Sequence, residues 1–347
     1  MASNRRTSPQ AAAIMNRLLA GKRVAHVVRA AAELGLADHL EDERPLDVQS
    51  IAEATSTHAP SLARLLRALA AIGIVHETDD RRYRLTPVGA TLRTNAADSM
   101  RASVDLFYDE LIERPWLALP HAVRTGELAF RQVFGTDLWT YLSDHPVSSN
   151  LFDRQQQNNT QVVNASLISC YPFGSFKWIV DVGGGIGSLL IPILEQNAEM
   201  RGTIFELPQV AAHARQRVAA AGLASRCEVI GGDALISVPS GADGYMLKSV
   251  IHNWEDAQAL RILQNCRSAM QVHGKVIVIE RLLSERADPG DEQALGKFLS
   301  DIMMMLLAGG RERTEEEFKT LLAEAGLRLN RLVPTAGLPS IIEAVPI

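Results

Sequence analysis

Residues 178–187 read WIVDVGGGIG. Trp178 to Val182 has the short, apolar character of a buried strand, and LLIPILEQN, residues 189–197, follows the glycines with helical character. A strand that turns through glycines into a helix opens a βαβ unit. Glycines at such a turn let the backbone approach a ligand with no Cβ in the way. In open α/β sheets ligands bind at the carboxyl ends of the strands, so Gly183, Gly185 and Gly187 stand where a nucleotide-like cofactor is expected.

On the carboxyl side the pattern repeats. GTIFEL (202–207), CEVIGG (227–232), DGYMLKSVI (243–251) and KVIVIE (275–280) read as strands. Helical stretches at 210–222 and from about 256 to 270 separate them. This alternation predicts a mostly parallel sheet covered on both faces. Thr314 and Glu317 have capping-box spacing before another helix. Two last strands, LRLNRLV (327–333) and SIIEAV (340–345), predict an antiparallel pair at a sheet edge.

The glycines alone do not select a cofactor. A dinucleotide fingerprint counted from Gly183 places its third glycine on Ser188, and no phosphate-loop lysine is present. Three consecutive strand ends carry carboxylates: Asp181, Glu206 and Asp233. Such a set suits S-adenosylmethionine (SAM), which has an ammonium, a ribose and an adenine but no phosphate. Asp181 is placed to attract the ammonium, Glu206 to accept from ribose hydroxyls, and Asp233 to accept from the adenine amino group. The competing role for Asp181 or Asp233 is to cap a helix or turn.

The strand DGYMLKSVI leads into His252, whose unperturbed pKa of about 6.5 suits proton transfer near neutral pH. Glu280, ending KVIVIE, and Glu312, between Arg311 and Arg313, are both candidates to accept the second imidazole N–H. The bland alternatives are a structural histidine and a surface glutamate.

The amino-terminal region reads as helix over 11–40, then LDVQSIAEATS (46–56), then the helix LARLLRALAAIG (62–73). Leu62, Leu65, Leu66, Leu69 and Ile72 share one helical face, and IVHETDDRRYRLT (74–86) reads as two short strands about a turn. Helix, helix and hairpin is the order of a winged helix. DNA binding through Arg64 and Arg67 is one reading; a packing or dimerisation module is the other. Residues 95–175 read as helical and rich in aromatics, a linker that also walls a pocket.

A net charge of −5 opposes a phosphate backbone as main partner. Cys170, Cys227 and Cys266 are widely spaced, against a disulfide framework or zinc site. No apolar run approaches a membrane span, and no signal peptide follows the early arginines, so the cytoplasm is expected.

The motifs DVGGGIG, FELP, GGDAL, LKSVIHNWED, VIVIERLL, GGRERTEEEF and PSIIEAVP, in that order, resemble those of the small-molecule O-methyltransferases. That family includes plant caffeic acid and flavonoid enzymes and bacterial ones acting on polyketide or phenazine metabolites. The likeness spans nearly the whole chain. It implies an α/β fold, a Rossmann-like class I methyltransferase sheet, behind a mostly helical winged-helix dimerisation domain. The divisions expected are 1–95 for dimerisation, 96–175 for a helical pocket wall and 176–347 for SAM binding. A homodimer, no metal, no nucleic acid and no membrane are implied. The cofactor set implied is Asp181, Gly183, Gly185, Gly187, Glu206, Leu207, Gly232, Asp233, Ala234 and Lys248, with His252 as general base flanked by Glu280 and Glu312.

In one departure, many relatives carry His-Asp-Trp where this chain has His252-Asn253-Trp254. Asn253 is thereby a candidate to hydrogen-bond the acceptor. Phe107, Trp116, Trp139, Phe152, Met303 and Met304 are candidate walls of a substrate pocket between the domains, for a small aromatic hydroxyl compound. N-methylation and cofactor-assisted hydroxylation or decarboxylation stay open on the same fold. A nicotinamide oxidoreductase and a SAM-sensing DNA regulator are the readings from other classes.

Overall fold

The computed structural model describes residues 9–96, 98–288, 291–335 and 339–347. They divide into two compact units: residues up to 113 with 150–158, and residues 114–149 with 159–347. The stretch 96–175 is therefore shared between the units. It is mostly helical, from Arg101–Phe107 to the long helix Pro146–Cys170.

In the first unit the helix Pro9–Glu33 is followed by Gly35, whose φ of 63° breaks the helical path. Asp47 caps the helix Val48–Ala54 by accepting from Ser50 N at 2.9 Å. The helix Ala59–Ala71 buries Leu62, Leu66 and Leu69, with Leu65 and Ile72 partly buried in the same cluster, as their spacing predicts. β1 (Val75–Glu77) and β2 (Tyr83–Leu85) pair antiparallel behind it.

The second unit is built on one sheet. Its strands are β3 (Trp178–Val182), β4 (Arg201–Glu206), β5 (Cys227–Gly231), β6 (Gly244–Lys248), β7 (Lys275–Leu283), β8 (Arg313–Thr314), β9 (Leu327–Val333) and β10 (Pro339–Pro346). The order is β5-β4-β3-β6-β7-β10-β9, with the short β8 beside β7. β3 to β7 pair in parallel, and β10 runs antiparallel to both β7 and β9. The predicted closing pair at the edge is thus present.

The period of two along each strand fills a core on each face. Val180, Val182, Leu247 and Val278 join one buried cluster, while Ile179, Met246, Ile277 and Ile279 join the other. Thr314 and Glu317 form the expected capping box at the start of the helix Glu315–Glu324. Among the described residues no helix is long and apolar enough to cross a membrane.

One strand departs from expectation. DGYMLKSVI reads as strand through Ile251, but β6 stops at Lys248. Ser249 takes a φ of 55°, and Ile251–Asn253 forms a single 3-10 turn. The cause lies next door: the Glu280 carboxylate on β7 accepts from Val250 N at 2.9 Å and His252 N at 3.3 Å. A buried carboxylate has taken the donors that a longer strand would give to the ladder.

Candidate active site

The switch point falls at β3, where the sheet order turns from β4 on one side to β6 on the other. Gly183, Gly185 and Gly187 leave β3 with φ values of +69°, +55° and +82°. A Cβ on Gly183 would meet Val250 Cγ2 at 2.7 Å, and one on Gly187 would meet Ile204 Cδ1 at 2.6 Å. Gly185 differs: a Cβ there would meet nothing within 4 Å. Bare backbone at the middle of the loop therefore faces open space, which fits close approach by a ligand.

Asp181 is buried beneath this loop, so near that a Cβ on Gly184 would touch its carboxylate at 2.7 Å. Burial pushes its pKa up to about 7, against the Lys248 ammonium and with help from Glu206. Burial likewise pushes Lys248 down, against the pull of Asp181. Glu206 ends β4, half-buried, and its carboxylate accepts from the backbone N–H of Leu207. Gly232 N donates to Glu206 O at 2.8 Å, and a Cβ on Gly232 would strike the Phe205 ring at 2.5 Å. Asp233 uses one carboxylate oxygen to accept from Leu235 N at 2.8 Å, the turn-capping role its type suggests. Ala234 O accepts from Asn265 Nδ2 at 2.7 Å, which pins that turn to the helix Asp256–Ala269. The acidic strand ends thus lie side by side on adjacent strands.

At β6 and β7 the acid–base residues converge. His252, Glu280 and Glu312 are all buried, and each has a ligating atom within 4.8 Å of the others. The alternative of a surface glutamate at position 312 is wrong: it is 1% exposed, on a segment whose Gly310 packs against the His252 carbonyl. Glu312 Oε1 lies 3.3 Å from His252 Nδ1 in hydrogen-bonding geometry and also accepts from Ser300 Oγ at 2.8 Å. Glu280 Oε2 stands 3.2 Å from the same nitrogen. Its partner oxygen holds the backbone, as described above.

Burial alone would lower the His252 pKa, but the Glu280 and Glu312 carboxylates outweigh it and hold the pKa above the ordinary value. The two carboxyls are driven apart. Burial and the Glu312 charge raise Glu280, whereas the hydrogen bonds from His252 and Ser300 overcome burial and lower Glu312. With Nδ1–H given to Glu312, the basic lone pair of a neutral imidazole resides on Nε2.

Comparison with known proteins agrees with this architecture. Residues 116–328 match the O-methyltransferase domain and residues 16–95 the O-methyltransferase dimerisation domain. A phenazine O-methyltransferase, PhzM of Lysobacter antibioticus, is 39% identical over 345 residues, 99% of each chain. The chain belongs to the O-methyltransferase family. The crystal structure of CalO1, a methyltransferase of calicheamicin biosynthesis in its SAH-bound form, matches with a TM-score of 0.86 and 33% identity over 99% of this chain and 100% of that one. NcsB1 of neocarzinostatin biosynthesis, in complex with SAM and 2-hydroxy-5-methyl naphthoic acid, matches with a TM-score of 0.77 and 32% identity, covering 93% of this chain and 96% of that one. SAM is the cofactor of this enzyme class, and the glycine loop and acidic strand ends fit it.

In the methyltransferase the expected substrate walls fall in both units. Trp116 packs with Ile302 and Met305 on the small core formed by Ala122, Ala129 and Leu306. Met304 is buried and Met303 half-buried on the helix Glu292–Leu307, while Trp139 is exposed. Phe107, 48% exposed, and Phe152, half-buried, belong to the first unit. Asn253 donates from Nδ2 to Ser249 O at 3.0 Å, so one amide donor serves the turn. Sequence reading missed Ser300 and Asp301, which hold Glu312 by side chain and, at 2.9 Å, by backbone N–H. They sit on a helix whose apolar periodicity reads as plain packing. It also missed Arg313, although that residue lies inside the quoted motif GGRERTEEEF.

Proposed function

We propose that the enzyme methylates a hydroxyl of a small aromatic secondary metabolite, with His252 as general base. The observation that carries this reading is the buried imidazole whose Nδ1 is held by Glu312 at the carboxyl edge of the sheet. SAM, when bound, supplies a methyl group already activated on a sulfonium. The protein's own residues then have two tasks: holding the acceptor oxygen in place, and removing its proton.

His252 Nε2 takes the hydroxyl proton, and the Glu312 carboxylate stabilises the imidazolium that forms. A base so placed is typically worth roughly 10²–10⁴-fold in rate. Asp181, Glu206 and Asp233 take the cofactor's ammonium, ribose and adenine, with Gly183, Gly185, Gly187, Leu207, Gly232, Ala234 and Lys248 around them. Trp116, Trp139, Met303, Met304 and Asn253, all of the second unit, are the side chains offered to the acceptor. The aromatic acceptor follows the chemistry named for the phenazine and naphthoate enzymes.

The working form in this reading is a homodimer. Ile14, Met15, Leu18 and Leu19 on the helix Pro9–Glu33 are each more than half exposed. Beside them, Ala20, Arg23, Val24, Val27, Ala68, Ala71 and Ile72 line a mostly apolar groove of about 290 Å³. A surface of this kind is what a second copy would cover.

The test is incubation with SAM labelled in its methyl group and a phenol panel that includes 2-hydroxy-5-methyl naphthoic acid and a hydroxyphenazine. A labelled methyl ether in the product supports the reading. Label found only on nitrogen, or an oxidised or decarboxylated product, would replace it.

A further inference from the structure

We propose that Arg313 is a positioning residue for the base: its guanidinium fixes the main chain around His252 and so sets where the imidazole stands. This rests on the reading of His252 given above.

Arg313 is 1% exposed, among the largest fully buried side chains of the molecule. Burying a guanidinium is costly unless its donors are matched. Here they are matched by the segment that carries the base. Nη1 donates to Ile251 O at 3.1 Å, and Nη2 donates to Trp254 O at 2.9 Å. Nε and Nη2 both reach Asp256 Oδ1, at 3.0 and 2.7 Å. These acceptors bracket His252, one position before it and two and four after.

The bracketed turn has little support of its own. A three-residue 3-10 turn with Trp254 N bonded to Ile251 O at 3.2 Å is a marginal element in isolation. The segment 310–313 grips it three times. Gly310 packs so closely that a Cβ would lie 2.0 Å from His252 O. Glu312 holds the imidazole at Nδ1, and Arg313 holds the main chain on both sides. Adjacent residues thus restrain the side chain and the backbone of one histidine. A planar fork with five donors can bracket several acceptors at once, which a lysine ammonium cannot do in the same geometry.

The test compares Arg313→Met, Arg313→Lys and Asp256→Asn with the unaltered protein. Asp256 is an exposed partner, and its change to Asn removes the charge that fixes Nε and Nη2 of the guanidinium. Three quantities are read: SAH affinity, the NMR titration of the His252 imidazole (identified by its loss in His252→Ala), and kcat on 2-hydroxy-5-methyl naphthoic acid. Arg313→Met is expected to keep SAH affinity within about twofold and to lower kcat by about 10²-fold, as for a misplaced catalytic group. The imidazole, drawn away from its two carboxylates, should titrate closer to the ordinary histidine value. Arg313→Lys should lie between, and in a His252→Ala background Arg313→Met should cost at most about twofold more.

An unmoved His252 titration in Arg313→Met overturns the proposal, as does an equal kcat loss in the His252→Ala background. Should Arg313→Met fail to bind SAH, Asp256→Asn decides by the same titration: a partial move supports the clamp and none overturns it. If His252→Ala turns over normally, or the naphthoic acid is not methylated, the base reading is what is at issue. The imidazole titration then still decides whether Arg313 positions His252.

Discussion

Glu280 stands 3.2 Å from His252 Nδ1, yet its firm hydrogen bonds go to the backbone of the turn that carries that histidine. One carboxylate therefore acts twice. Its charge raises the imidazole pKa, and its Oε1 shapes the turn. The two roles can be separated by substitution. Glu280→Gln removes the charge and keeps an acceptor for Val250 N and His252 N. The pH at which activity reaches half its plateau should move down, with SAH affinity retained. Glu280→Ala leaves two buried donors without an acceptor and should lower stability by about 1–3 kcal/mol, read by denaturant titration.

The base must be neutral to take a proton, and its carboxylate neighbours hold its pKa above the ordinary histidine value. Turnover should therefore be lost as pH falls through that raised pKa and be full above it. The linked stability has the opposite sense: it is fully present below the unfolded value of about 6.5 and is lost as pH rises through the folded one. His252→Ala should lower kcat by roughly 10²–10⁴-fold and leave SAH affinity nearly unchanged. A pH–rate profile with a flat acid limb would remove the imidazole from the proton transfer.

Burial disfavours the Asp181 charge and pushes its pKa up to about 7. Stability is fully present below the unfolded value of about 3.9, falls as pH rises because the native chain must take up a proton to fold, and levels off above the folded pKa, whereas Asn has no such dependence. Asp181→Asn is expected to raise Tm at pH 8.5 and to raise it about half as much at pH 5.5. SAH binding should weaken for the native enzyme as pH falls through 7 and be pH-independent over that range for the variant. Calorimetry at the two pH values checks both.

A Cβ on Gly310 would press on His252 O at 2.0 Å and Asn253 C at 2.4 Å, both of them backbone atoms that cannot rotate away. Gly310→Ala should cost about 1–3 kcal/mol, as overpacking does, and should reduce kcat more than SAH affinity. Loss of both in equal measure would mean that the turn and the glycine loop shift together.

Leu18 and Leu19 are 67% and 63% exposed on the first helix. Replacing both with Glu puts charge into the proposed dimer surface, where an unpaired charge is strongly disfavoured. Light scattering should report the mass of one chain instead of two. An unchanged mass would place the interface elsewhere.

Local chemistry made much of this protein legible in the sequence alone. The glycines after Val182, the alternating strands and helices, the Thr314–Glu317 cap and the apolar face of Leu62, Leu66 and Leu69 are written in period and residue type. Those features depend on neighbours a few positions apart. The acid–base centre does not. Glu312 lies 60 positions from His252, and Glu280 lies 28, yet both close on one nitrogen. Glu312 between two arginines reads as surface, yet packing against His252 and Ser300 buries it, and Arg313 beside it reads only as part of a motif. Where β6 ends was decided by a carboxylate on the neighbouring strand, which no reading of residues 243–251 alone can contain. Sequence fixes what a segment prefers; which buried donors and acceptors must satisfy each other is set when distant segments pack, because an unmatched one in the core costs more than the local preference is worth.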